Sequence, residues 1–199
     1  NDLVKNSFIA RRDLPPMVVE KLIGLVSGEA ALRLHERHEV PLETAIDLAA
    51  RAQERAQIDF VSQSWVSRDL AALTARLHKE GRLKNTLIIR AACCGQLRFT
   101  EHALAARAGI SLSKTALMIH DSGPIGIRSL CNVAGLTKLD AVILRAAIAI
   151  YRDLELKGGH YSKAKFQRTM LERVLSLPIT FAAEDTEYLL EKLDAIGAA

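Results

Sequence analysis

Aromatic side chains are scarce in this chain of 199 residues: 5% of the total, with one tryptophan, against an apolar share of 49%. Ala, Leu, Ile and Val make up the difference. An alanine-rich, ring-poor composition favours closely spaced helices and argues against a β-sandwich. Three cysteines, an odd number, and no secretory leader speak against a disulfide framework and predict a reduced, cytoplasmic setting. No apolar run reaches the roughly 18 residues of a membrane span, and the longest, over 141–151, is interrupted by Arg145. A block of basic charge is also missing. The formal net charge is +4, and Arg33, Arg37, Arg51, Arg55, Arg68 and Arg76 stand singly among acidic residues, the pattern of solvated helix faces. There is no initiating Met, so a fragment of a longer protein is expected.

What the chain does have is an echo. Ala108-Gly109-Ile110-Ser111 returns 26 residues later as Ala134-Gly135-Leu136-Thr137, and Leu87-Ile88-Ile89-Arg90-Ala91-Ala92 returns 55 residues later as Val142-Ile143-Leu144-Arg145-Ala146-Ala147. Spacings near one and two times 27 are those of stacked helical hairpins, none of which can bury its apolar face alone. Gly81, Gly109 and Gly135 suit the left-handed position after a helix. Ser111 or Ser113, and Thr137, suit the N-cap of the next one. At 199 residues the chain can bury roughly 70% of its unfolded surface without metal or disulfide. The expected fold is all-α: stacked hairpins forming a HEAT-like, irregular α-solenoid of about ten helices with no sheet.

Four segments follow from the pattern: a tail over 1–13, long helices over 14–80, short hairpin repeats over 81–157 and a helical pair over 158–199, most simply one continuous domain. Asp13-Leu14-Pro15-Pro16 reads as a helix start. Met17, Val18, Leu22, Leu25, Val26 and Leu32 form the apolar face that follows, with Ser27-Gly28 as a kink or a point of close approach. Leu42, Ala45, Ile46, Ala49, Ala52, Ala56 and Phe60 recur at helical spacing in the next element. Ser64 or Ser67 caps a third helix.

No catalytic constellation can be written down. There is no nucleophile elbow, no paired-carboxylate motif, and Gly123-Pro124-Ile125-Gly126 lacks both the preceding strand and the lysine of a phosphate loop. His35 and His38 lie one helical turn apart, but zinc takes three or four ligands and no third can be named. Cys93-Cys94 and Cys131 read as small buried side chains rather than redox groups. Within residues 104–120, the stretch 104–111 fits the first helix and turn of a DNA-reading helix-turn-helix. The second helix then offers only Lys114, Thr115 and His120, with no arginine to read guanine. Arg90 and Arg145 are the informative charges, because each rises from apolar helical neighbours. A buried charge without compensation costs several kcal/mol, on the order of 3–5. Each is therefore expected to be braced by a carboxylate or by helix-end carbonyls, with Glu101, Asp121 and Asp140 as candidates, or else to contact an anion.

Asp13-Leu14-Pro15, Gly81-Arg82-Leu83, Leu87-Ile88-Ile89-Arg90-Ala91, Ala103-Leu104-Ala105 and Ala108-Gly109 together resemble a bacterial family, domain of unknown function 2336, found mainly in alphaproteobacteria. The resemblance runs from about Asp13 to Leu154 and corresponds to the C-terminal portion of longer members. It implies an all-helical, repeat-like protein without an established activity, so no site residues come with it. The function expected is a non-enzymatic interaction, scaffold or regulatory module without a cofactor, taking a protein partner or a second copy of itself. The alternatives are a regulator binding a small anionic ligand or nucleotide between helices near Arg90 or Arg145 and, less favoured, a nucleic-acid binder using residues 104–120. An exposed apolar strip on the outer face of Leu42 to Val66, or on the last two helices, would mark the contact.

Overall fold

Capping chemistry marks several of the helix boundaries in this chain. In the computed structural model, which describes residues 16–60, 67–120, 123–156 and 163–197, ten helices are present and no strand occurs among the described residues. They are α1 (Pro16–His38), α2 (Leu42–Phe60), α3 (Ser67–Lys79), α4 (Asn85–Cys93), α5 (Leu97–Ala108), α6 (Leu112–His120), α7 (Gly123–Val133), α8 (Lys138–Leu156), α9 (Lys163–Leu175) and α10 (Ala183–Gly197). The chain forms two compact units, Asn1–Leu73 and Thr74–Ala199, divided within α3.

Four corners of the second unit share one geometry. Gly81, Gly95, Gly109 and Gly135 have φ of 69°, 74°, 64° and 73°, the left-handed region where a Cβ costs about 1–2 kcal/mol. After each glycine the next N–H reaches back five residues: Arg82 to the Leu77 carbonyl, Gln96 to Ala91, Ile110 to Ala105 and Leu136 to Cys131, at 2.8–3.2 Å. These are Schellman closures, which satisfy carbonyls left over at a helix end. Downstream, Ser111 Oγ accepts from the Lys114 N–H at 3.3 Å. Thr137 and Asp140 close a reciprocal box, the Asp140 N–H on Thr137 Oγ1 at 3.1 Å and the Thr137 N–H on Asp140 Oδ2 at 2.9 Å. The two Ala-Gly echoes are therefore like corners. Gly123 differs, because it opens α7.

From α4 to α8 each helix packs on its successor, in solenoid-like stacking, and α8 also packs back on α4. The terminal pair α9 and α10 then joins α4 as well. Encircled by α5, α8, α9 and α10, α4 is buried at every position from Leu87 to Cys93. Phe99, Leu104, Ile119, Leu130, Leu144, Ile148, Met170 and Val174 extend the same core. At the α4–α5 corner a Cβ on Gly95 would come within 3.0 Å of the Phe166 ring. That ring meets Tyr151 edge-on at 5.3 Å, a favoured aromatic geometry. The stretch from Leu177 to Ala182 connects the last two helices without pairing as a strand.

The first unit is dominated by the α1–α2 hairpin. Its connector is short, and Glu39 takes the left-handed corner at φ 52°. The side of α1 that is buried comprises Val19, Glu20, Ile23 and Ala31, while Leu25, Val26 and Leu32 are exposed. This departs from the apolar face expected for α1. The helix carries apolar residues around most of its circumference, so periodicity cannot choose between sides. Gly28 is exposed with no atom within 4 Å of where a Cβ would stand, so it is not a close approach. Gly24 is one, 3.3 Å from Gln53 of α2. Residues 1–13, Ser64 and the Gly158-Gly159 pair, which by sequence suits the end of α8 or its loop, lie outside the described residues.

Candidate functional site

Arg90 sits in the middle of α4, where the buried run Leu87 to Cys93 leaves no route to bulk water along its own helix. Its Nε donates to Asp185 Oδ1 at 2.6 Å, and the two side chains are only 6% and 16% exposed. The guanidinium carbon lies 5.2 Å from the centre of the Tyr188 ring, within cation–π range. Asp185 and Tyr188 are one turn apart on α10, so a single helix supplies both the charge and the ring. The acid sits in the first turn, where the helix dipole favours it.

The carboxylates expected for this role are occupied elsewhere. Glu101 Oε1 accepts from the His120 ring at Nε2, 2.6 Å away, Asp140 holds the α8 cap, and Asp121 lies outside the described residues. Asp185 was hidden from sequence inspection because it comes 95 residues after Arg90 and no periodicity links the two. Arg145, the counterpart of Arg90 in the echo, is exposed. It is not a buried brace. The face of α8 that carries it points away from the core formed by Ile143, Leu144, Ala147 and Ile148.

A second arginine holds three corners together, and its role is not evident from the sequence. Arg107, at the end of α5, donates from Nη1 to the Leu83 carbonyl at 3.3 Å and to Asn85 Oδ1, and from Nη2 to the Gly135 carbonyl at 3.3 Å. Asn85 uses the other end of its amide to donate to Asp140 Oδ2 at 2.8 Å. With an arginine on one side and a carboxylate on the other, the amide has one sensible orientation. The loops after α3 and α7 and the starts of α4 and α8 are thereby tied to α5. Arg152 extends the pattern by donating to the Ile119 carbonyl near the end of α6 at 3.0 Å.

The three cysteines are free and buried. Burial pushes the Cys93 thiol far above its ordinary value, with Cys94 and Asp185 adding to the effect. Cys131 is pushed up to about 11 by burial, helped by Asp140. Neither can supply a thiolate near neutral pH. His102 is buried, and desolvation lowers its pKa; Glu101 opposes that shift and Arg98 adds to it. His35 is exposed with Nδ1 at 2.9 Å from the Val40 carbonyl. Among the described residues no group of three or more His, Cys, Asp or Glu is placed to hold a metal. In the helix-turn-helix-like segment, Thr115 is fully buried and its Oγ1 donates to the Ser111 carbonyl at 3.1 Å. The outer side of α6 presents Ser113, Lys114, Leu117 and His120.

A family model described as an uncharacterised protein conserved in bacteria (DUF2336) matches residues 2–178. The chain belongs to this family. The match extends through α9, beyond the Asp13–Leu154 span on which the resemblance rested. Among curated proteins and among solved structures, none matches the chain. The α4–α10 tie is thus only partly within the matched region: Arg90 lies inside it and Asp185 beyond it. No described helix is long and apolar enough to cross a membrane.

Proposed function

We propose that this chain is a non-enzymatic, helical-repeat protein-interaction module of the bacterial cytoplasm that self-associates through its α1–α2 hairpin. One observation carries the reading. The first unit leaves Leu25, Val26, Leu32, Leu42, Ile46 and Leu48 at 44–59% exposure. Among its described residues it buries no more large aliphatic side chains than that: Val19, Ile23, Ile58, Leu70 and Leu73. Isolated exposed aliphatic side chains are ordinary, but six on one hairpin are more than a small unit normally leaves in water. Leu25 and Leu32 are two helical turns apart on α1, and Val18 and Leu22, half-buried, continue the same stripe.

A second copy is the occupant that suits this shape. Two α-hairpins related by a two-fold axis make a four-helix bundle in which each apolar stripe meets its equivalent. The three buried free thiols fit a reducing compartment. Anion binding has less support, since the Arg90 charge is already met by Asp185. Light scattering over a concentration series tests the proposal. The full chain should be dimeric, and the Leu25→Glu/Ile46→Glu double variant should be monomeric with an unchanged helical circular dichroism spectrum. A monomeric wild type at every concentration would dispose of the reading.

A further inference from the structure

The internal echo places two copies of one surface in the molecule, one covered and one open. In Leu87-Ile88-Ile89-Arg90-Ala91-Ala92 and its return Val142-Ile143-Leu144-Arg145-Ala146-Ala147, the aliphatic pair before the arginine, Ile88-Ile89 or Ile143-Leu144, is buried in both copies. The flanking side differs. On α4 and its C-cap, Leu87, Arg90, Ala91 and Cys94 are all buried, and Arg90 lies against Asp185 and Tyr188 of α10. On α8 the equivalent positions are Val142, Arg145, Ala146 and Ala149, of which three are exposed and Ala146 is half-buried. Leu139, at 47% exposure, lengthens the open stripe by a turn.

We infer that the outer face of α8 is a docking site for an amphipathic helix of a partner protein, one that carries a carboxylate and, three residues on, an aromatic ring. The chemistry is taken from the covered copy. An arginine set among small and branched apolar side chains is complemented there by an acid and a ring on successive turns of one helix. Arg145 offers the same charge on the same kind of surface, exposed to an incoming acid. Val142, Ala146 and Ala149 are small, so a helix can lie close enough for that acid to reach it. This mode is helix-in-groove recognition with the intramolecular helix as its template. It goes beyond the self-association proposed above and uses a different surface.

The test uses the full chain and, as probe, a labelled peptide of residues 183–197, the sequence of α10. Fluorescence anisotropy should give saturable binding to wild type. Arg145→Glu, with its circular dichroism unchanged, should weaken binding at least tenfold, and so should Val142→Asp. A peptide carrying Asp185→Lys should lose affinity for wild type and regain it on Arg145→Glu. The Leu25→Glu/Ile46→Glu variant should bind the peptide as wild type does, which separates this result from the fate of the dimer. Absence of saturable binding overturns the inference. So does binding that Arg145→Glu leaves intact, since the peptide would then be replacing α10 on α4, and so does failure of the charge-reversed pair to recover affinity.

Discussion

Asp185→Ala is the substitution with the most to say about how this fold is held together. It deletes the carboxylate that meets Arg90 at 2.6 Å in a site where the two side chains are 6% and 16% exposed. Removing one partner of a buried pair costs about 3–5 kcal/mol. Two features of the site reduce that figure. Asp185 is not wholly enclosed, so water can enter the vacated space, and the Tyr188 ring 5.2 Å away still faces the guanidinium. A loss of about 2–3 kcal/mol is the expected result. For a domain of this size that corresponds to a fall in Tm of roughly 8–12 °C. Urea unfolding followed by far-ultraviolet circular dichroism reads it directly, with Arg145→Ala as the internal control. That exposed side chain should change stability by no more than about 0.5 kcal/mol. Replacing both partners by apolar residues, as in Arg90→Met/Asp185→Leu, should recover most of the loss, because neither charge then needs to be desolvated. An Asp185→Ala variant as stable as the Arg145→Ala control would refute the account of α4 and α10 given above.

Two glycines should respond in opposite directions to alanine. Gly135→Ala forces φ 73° on a residue with a Cβ and brings that atom to 3.1 Å from Arg107 Nη2, for a loss of about 1–2 kcal/mol, whereas exposed, mid-helix Gly28→Ala should gain about 0.5–1 kcal/mol; thermal unfolding of both variants checks the pair. Native thiols should be almost inert to an aromatic disulfide reagent at neutral pH, and all three should react once urea unfolds the chain; fast native labelling of Cys93 or Cys131 would contradict their burial. His102 sets a pH dependence. Because its folded pKa lies below the unfolded value, its contribution is intact above that ordinary value, about 6.5, falls as pH drops through it, and levels off below the folded pKa. The stability of His102→Gln should fall less steeply than that of wild type between those limits in urea titrations at stepped pH.

Local chemistry was the part of this structure that the sequence made legible. Glycine after a helix and a hydroxyl before the next one act within a few residues, so Gly109-Ile110-Ser111 and Gly135-Leu136-Thr137 announce their corners without tertiary help. Arg90 stood out for a similar reason, since Leu87, Cys93 and Cys94, three of its neighbours a turn away on the helix, are apolar. Where the answer depends on distant elements, the sequence falls silent. Arg90 and Arg145 have nearly the same helical surroundings, and it is the helices packed around α4, α10 with its acid and ring among them, that bury one while the other stays in water. Arg107 looks like any surface arginine beside an Ala-Gly corner, because its acceptors are two backbone carbonyls and an amide drawn from elements 22 to 28 residues away. In α1, apolar residues on several sides left the choice of buried face to packing against α2.

The enclosure of α4 bears on how the protein is made. This helix is translated well before α10, which supplies the acid and the ring that shield its arginine 95 residues further along. Until then a nascent chain carries a hydrophobic segment with a charge embedded in it and no finished shelter for either. Long-range closures of this kind slow folding and prolong the exposure of sticky surface. Ribosome-bound intermediates ending before residue 183 should therefore engage chaperones, and release from them should coincide with synthesis of the last helix.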